Sequence, residues 1–280
     1  MKDIDNKIVL SVLLTVHNRR EKTLECLRHL YNNYLKNIEL KVFLTDDGST
    51  DGTASAIKKE FPDVRIIQGN GNLYWNRGME CAWKCALKIE TKIDYFLWLN
   101  DDTLLYKDAV NLLLDSALNL SENAIIVGST QSEEGELSYG GRLNDIKCSI
   151  IRPQKKLVKC DTFNGNIVLI PKKVVDQIGI IDHYFIHSFG DIEFGLRAKK
   201  NGINSYIAPG ILGVCNRNDG IPKYLDNRRS ISERLRALYS PLGKNPSEFF
   251  YLDRKYRGLR IAVLRYIKLH INSIFPFIVN

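Results

Sequence analysis

The chain has 280 residues, of which 44 % are hydrophobic and 26 % charged, with a formal net charge of +8. That length and balance suit a soluble globular protein with a substantial core. The cysteines form no CxxC pair, which argues against a zinc site or a disulfide framework. The positive balance favours an anionic partner, whether nucleic acid, a phosphorylated small molecule or an anionic membrane face.

In chain order, "IVLSVLLTV" (8–16) is too short to span a bilayer and follows acidic residues, so it predicts a buried strand. "REKTLECLRHLYNNYL" (20–35) sets Leu24, Leu27, Leu30, Tyr31 and Tyr34 at helical spacing. "ELKVFLT" (39–45) predicts a strand, and "STDGTASAIKKEF" (49–61) a helix opened by capping residues. "VRIIQ" (64–68) is the third strand, and "LYWNRGMECAWKCALKI" (73–89) becomes helical in its later part. "DYFLWL" (94–99), the helix "YKDAVNLLLDSAL" (106–118) and the strand "AIIVGS" (124–129) complete the first half. Strands alternating with helices predict a mostly parallel sheet covered on both faces. The second half is less regular. "ELSYGGRL" (136–143) and "KCSIIRP" (147–153) read as hairpin or edge strands, and "CDTFNGNIVLIP" (160–171) holds another. "DIEFGLRAKKNG" (191–202) predicts a helix stopped at Gly202, and "INSYIAPG" (203–210) a short strand. From 227 onward the chain is basic and helical.

Ligands of open parallel sheets bind beyond the carboxyl ends of the strands. Those ends carry Thr15, His17, Asn18 and Arg19 after the first strand, Asp46 and Asp47 after the second, "QGNGN" after the third and "NDDT" after the fourth. A dinucleotide site would need GxGxxG after the first strand, and "VHNRREK" has no glycine. A phosphate-binding P-loop is absent. A haloacid-type phosphatase would need an aspartate where "TDDGS" has Thr45. Acidic strand ends are the wrong sign for nucleic acid, which is not expected as a partner.

The stretch "YFLWLNDDTLL" (95–105) ends a core-type strand on two adjacent carboxylates. Like charges repel and an unpaired buried carboxylate is costly, so a helix N-terminus, a basic side chain or a metal ion must compensate them. Two hard oxygen ligands suit Mg²⁺ or Mn²⁺ held jointly with substrate phosphates. The alternative is that Asp101 and Asp102 cap the following turn. "TDDGSTD" upstream favours metal plus diphosphate.

With those residues in view, "SVLLTVHNRREKTLECLRHL", "KVFLTDDGSTDGT", "GNLYWNRGM", "LWLNDDT" and "HYFIHSFGDIEFGLRAKKNG" together resemble bacterial family 2 glycosyltransferases of the GT-A fold, over roughly 8–215. The resemblance extends to rhamnosyltransferase-like builders of surface polysaccharide. It implies a GT-A catalytic domain over 1–226, with a nucleotide-binding half (1–129) and an acceptor half (130–226), followed by a basic helical extension (227–280). The implied fold is α/β: a mostly parallel sheet flanked by helices, with a small antiparallel part. Thr15, His17 and Asp47 would hold the nucleoside of a nucleoside-diphosphate sugar, with Asn18 beside them. His17 stands where many relatives have a stacking Tyr. Arg19, Asn72 and Arg77 would lie near the ribose or diphosphate. Asp102 would be the stronger metal ligand, with Asp101 nearer the ribose or donor sugar. Asn100 replaces the usual first acid of the metal motif. Asp191 aligns with the catalytic base, preceded by Gly190 where relatives have an acid. Cys215 or Asn216 stands where relatives often have a His.

The implied function is inverting transfer of a sugar to a hydroxyl of a glycan or lipid-linked acceptor, aided by Mg²⁺ or Mn²⁺. A nucleotidyltransferase and a sugar-nucleotide-binding protein without turnover are the alternatives. For Asp191 the residues alone favour a capping box with Ser188, and only the resemblance puts catalysis ahead. Trp75 could line the sugar pocket, whereas Trp83 and Trp98 read as core. His183 and His187 read as acceptor-side wall. In the C-terminal segment, Ile261, Leu264, Ile267, Ile271 and Ile274 fall near one helical face, with Arg257, Arg260, Arg265 and Lys268 adding charge beside it. Such a helix suits an anionic membrane interface or closure onto the catalytic domain. The expected location is cytoplasmic, peripheral on the inner face of the cell membrane if that helix binds lipid.

Overall fold

The computed structural model describes residues 7–33, 37–90, 92–121, 123–217 and 220–276. Its first half alternates as the sequence predicts: β1 (Ile8–Val16), α1 (Arg20–Tyr31), β2 (Ile38–Asp46), α2 (Thr53–Glu60), β3 (Arg65–Gln68), α3 (Tyr74–Ile89) and β4 (Tyr95–Leu99). Tyr34, counted in the first helical pattern, lies outside the described residues. Then come β5 (Leu104–Leu105), α4 (Ala109–Asn119), β6 (Ala124–Gln131), β7 (Leu137–Tyr139), β8 (Gly141–Arg142), β9 (Val158–Cys160), β10 (Thr162–Phe163), β11 (Ile167–Pro171), α5 (Lys172–Ile178), α6 (Gly190–Lys200) and β12 (Asn204–Val214). The C-terminal helices are α7 (Ile231–Tyr239), α8 (Pro246–Tyr256) and α9 (Leu259–Ile274).

The main sheet runs β3-β2-β1-β4-β11-β6-β12-β5. β1, β2, β3 and β4 are mutually parallel, and β6 pairs parallel with β12. β11 is inserted antiparallel between β4 and β6. β8 and β10 form a separate antiparallel pair. The segment 147–153, expected as a strand, contributes only the isolated Ile150–Arg142 bridge.

Alternation along β1 explains the layering. Leu10, Val12, Leu14 and Val16 join α1, α2 and α4 on one face, whereas Leu13 joins α3, α5 and α6 on the other. Trp83 and Trp98 are fully buried in the second layer, as read from the sequence. All the parallel strands of the first half therefore end at one rim.

The C-terminal helices close against α6. Phe185, Ile192 and Leu196 pack with Leu252 of α8. The fully buried Glu193 accepts hydrogen bonds from Lys255 Nζ (2.8 Å) and Tyr256 Oη (2.7 Å) and pairs with Arg197. The structure corrects the amphipathic face read for α9. Ile261 and Ile274 are half-buried, and the exposed apolar residues are Leu259, Val263, Leu264, Ile267 and Ile271. Arg257 and Arg265 do not charge that face; both turn inward to the buried Asp253, at 2.6 and 3.0 Å. An isolated buried carboxylate would be costly; two guanidiniums share its Oδ1, while its Oδ2 is buried without a hydrogen-bond partner.

Candidate functional site at the carboxyl rim of the sheet

The loop after β1 is braced to the loop after β2. Asn18 takes a left-handed conformation (φ 51°), which Asn tolerates better than most residues. Its N–H donates to Ser49 Oγ (2.9 Å), and its side-chain oxygen accepts from Thr50 N (2.8 Å). His17 Nδ1 lies 2.6 Å from the Asp47 carbonyl and its Nε2 3.2 Å from Asn18 Nδ2. This pairing selects the Nδ1–H tautomer, with Nε2 accepting. The Asp47 carboxylate, 3 % exposed, accepts from the N–H groups of Gly71 (2.8 Å), Leu73 (2.9 Å) and Tyr74 (2.9 Å). It thereby shapes the loop that carries Asn72 and leads into α3, a use the sequence did not reveal. Thr15 lies lower, tucked beneath α3, where a side chain on Gly78 would overlap its hydroxyl. Asn72 is exposed, its N–H held by Asn70 Oδ1 at 3.0 Å. Arg77, half-buried on α3, acts electrostatically on Glu248 of α8, and its Nε is buried without a partner.

The acidic tip follows β4. Asn100 does not face the cleft as a free ligand: its Oδ1 accepts from Trp75 Nε1 at 2.7 Å. Its carbonyl accepts from Cys26 Sγ (3.3 Å) and Thr103 N (3.1 Å). Arg19 Nη1 sits between the next two residues, 3.2 Å from Asp101 Oδ1 and 2.8 Å from Asp102 Oδ2. The Asp101 side chain is 9 % exposed, that of Asp102 22 % and that of Arg19 40 %. Burial pushes the Asp101 carboxyl up to about 7, Arg19 opposes that shift and Asp102 adds to it. Cys215 Sγ donates to Asp102 Oδ1 at 3.5 Å and accepts from Asn166 Nδ2 at 3.4 Å. Asn216 instead turns to Glu133.

The tip suits a hard cation. Two carboxylates converge on one cationic nitrogen, which stands in for a bound ion, and Asp101 Oδ2 is buried with no hydrogen-bond partner. Among the described residues, no group of three or more His, Cys, Asp or Glu side chains forms a fuller cage. The donor set therefore matches a cation that completes its shell with water and phosphate oxygens.

Asp191 and Trp75 both border Gly165. Asp191 Oδ2 accepts from Gly165 N (2.9 Å) and its Oδ1 from Ile192 N (2.8 Å). Burial raises its pKa above the ordinary carboxylate value, while those N–H groups pull it down. The capping box with Ser188 is not formed: the residue before α6 is Phe189, in a left-handed conformation (φ 72°) with no side-chain cap. Gly190 has a steric reason. A side chain there would overlap Asn76 Oδ1. Asn76 is fully buried, and its Nδ2 donates to the carbonyls of Asp182 and Phe185, both at 2.8 Å. Trp75 lies over Gly165, where a Cβ would come within 2.5 Å of the indole. One side chain thus touches both the tip, through Asn100, and the wall beside Asp191.

The two histidines of "HYFIHSF" part company. His183 pairs with Glu80 of α3, which also binds Lys84. His187 is half-buried beside the site, its Nδ1 3.5 Å from Trp75 N, and burial and then Arg19 lower its pKa. Asn76 and Gly165 were not singled out as site residues, and His187 was read only as acceptor-side wall. The sequence signals for them, "WNRG", "FNGN" and "HSFGD", are visible only once α3, β11 and α6 are brought together.

Comparison with known proteins follows this geometry. A family model described as "Glycosyl transferase family 2" matches residues 11–179. No curated protein matches the sequence. Among solved structures, a mannosyltransferase from Pyrobaculum calidifontis, in complex with GDP-Man and Mn²⁺, superposes with a TM-score of 0.54 at 16 % identity, covering 91 % of this chain and 73 % of that one. At that identity the likeness establishes the fold, which is GT-A.

Proposed function

The chain belongs to glycosyl transferase family 2, and from that premise we propose that it is an inverting transferase. It moves a sugar from a nucleoside diphosphate to a hydroxyl of a glycan or lipid-linked acceptor in cell-surface polysaccharide synthesis. The observation that carries this reading is the convergence of Asp101 and Asp102 on a single cationic atom at the sheet rim, with Asp191 and Trp75 both bordering Gly165. The solved neighbour holding GDP-Man and Mn²⁺ on the same fold supports the donor and ion class.

In this reading the loops at 15–19 and 69–74, fastened by Asp47, cradle the nucleoside, and His17 offers its ring face to the base. Asn72 and Arg77 flank the ribose and diphosphate. Asp102, the more exposed of the pair, would be the main ligand of Mg²⁺ or Mn²⁺, with Asp101 as its second carboxylate. The ion, when bound, stabilises the charge developing on the leaving diphosphate. Trp75 walls the sugar. Asp191 takes the proton from the acceptor hydroxyl; its Oδ1 and Oδ2 are aimed by two backbone N–H groups. One base on the face opposite the leaving group gives inversion.

The exposed apolar stripe of α9, with Leu264 68 % exposed and with Arg260 and Lys268 on the same helix, is assigned to an anionic membrane surface where lipid-linked acceptors are met. No described helix is long and apolar enough to cross a membrane, so contact would be peripheral.

The decisive experiment incubates the protein with a panel of sugar nucleotides and Mn²⁺ or Mg²⁺, following release of nucleoside diphosphate. Turnover of at least one donor, abolished by EDTA and restored by metal, is expected. Donor binding without turnover in the presence of candidate acceptors would reduce the protein to a sugar-nucleotide binder.

A further inference from the structure

The acidic tip does not wait empty for its cation. Arg19 Nη1 occupies the point where Asp101 and Asp102 converge, and these two carboxylates are the only hydrogen-bond partners of its guanidinium among the described residues. The Arg19 backbone is anchored: its carbonyl accepts from Thr23 N and Thr23 Oγ1, both at 2.9 Å, at the start of α1. The side chain is 40 % exposed, so it can rotate while the backbone stays.

A divalent cation bonds oxygen at about 2.0–2.1 Å. An ion drawn to the same two oxygens would meet a positive nitrogen already within 2.8 Å of one of them. The two cations exclude each other. Once displaced, the guanidinium has lost both partners and stands at the rim on which a diphosphate would lie. A planar guanidinium pairs with phosphate oxygens through two parallel N–H bonds.

We propose that Arg19 is the resident counter-cation of the donor-free site and is handed over to the donor diphosphate when the divalent ion enters. This rests on the donor-site reading above and adds an order to it. The ion alone binds weakly, because it must evict Arg19 with nothing to receive it. The diphosphate alone binds weakly, because Arg19 is engaged elsewhere. Together each removes the other's obstacle, so metal and diphosphate bind cooperatively, and by linkage the enhancement is the same in both directions.

The test measures Mn²⁺ binding from the free-ion electron paramagnetic resonance signal. Wild type, Arg19→Met and Arg19→Gln are each titrated with Mn²⁺ alone, and then with Mn²⁺ and inorganic pyrophosphate, corrected for the complex formed in solution. Arg19→Met and Arg19→Gln should bind Mn²⁺ alone about tenfold more tightly than wild type, within the span of ordinary coupling energies. Pyrophosphate should then tighten Mn²⁺ binding in wild type more than in either variant. A generally damaged site would lose affinity for Mn²⁺, not gain it. Equal or weaker binding of Mn²⁺ alone by both variants would overturn the inference and leave the proposed function standing. Absence of Mn²⁺ binding to all three proteins, with and without pyrophosphate, would overturn both.

Discussion

The backbone N–H of Gly165 donates to Asp191 Oδ2 at 2.9 Å, tying the start of α6 to the turn before β11. The two residues come from segments 26 positions apart. The bond aims a carboxylate while leaving it lone pairs for a substrate proton. Replacing Asp191 by Asn keeps the shape and removes the proposed base. Transfer should fall by about 10²–10⁴-fold, with donor affinity nearly unchanged, measured as kcat beside donor Kd. Loss of donor affinity instead would make Asp191 structural.

The same carboxylate sets a pH dependence. Burial raises its pKa above the ordinary value, and it must be ionised to accept a proton. Activity is therefore full above the raised pKa and is lost as pH falls through it. The acid limb of the kcat profile should lie above that of an ordinary exposed aspartate. A limb at or below the ordinary carboxylate value would assign the base elsewhere.

Gly190 is held at glycine by packing. In Gly190→Ala the new methyl would overlap Asn76 Oδ1, and Asn76 cannot yield without losing its bonds to Asp182 and Phe185. The expected cost is about 1–3 kcal/mol, read as a lower midpoint in urea unfolding. The double variant Gly190→Ala with Asn76→Ala should show a non-additive cost, because the clash is gone.

Glu193 is a buried anion with basic partners from α6 and α8. Glu193→Ala leaves Arg197 and Lys255 without it and should destabilise by about 3–5 kcal/mol. Tyr256→Phe removes a single hydrogen bond to the same oxygen and should cost about 1.5–3 kcal/mol, since the acceptor is charged. Chemical denaturation orders the two.

Leu264→Asp and Ile267→Asp change exposed positions of α9, so the fold should tolerate both. On vesicles containing anionic lipid, wild type should pellet and the double variant remain in the supernatant. Equal pelleting removes the membrane assignment.

Much of the first half of the chain was legible because its signals are local. β1 is an apolar run interrupted only by Ser11 and Thr15, and the later part of 73–89 shows helical spacing, although α3 itself starts already at Tyr74. The strand-end rule then placed 15–19, 47 and 101–102 on one rim without any knowledge of contacts. Direction was not legible. "NIVLIP" reads as a strand, yet nothing local says that it enters the sheet antiparallel between β4 and β6. Partner choice was not legible either. A basic side chain was one of three candidates for compensating the carboxylates, but Arg19 lies 82 residues before Asp101. The C-terminal arginines misled for the same reason. Arg257 and Arg265 share the helical region with Arg260 and Lys268, and only the buried Asp253 decides which of them turn inward.

The junction of Lys255 and Tyr256 with Glu193 binds the tail to the helix that bears Asp191. Shortening the protein before 246 would strip a buried carboxylate, two positions from Asp191, of Lys255 and Tyr256 and leave it Arg197 alone. Grafting a foreign segment in place of 130–226 thus means transplanting its tail with it, as one inherited block.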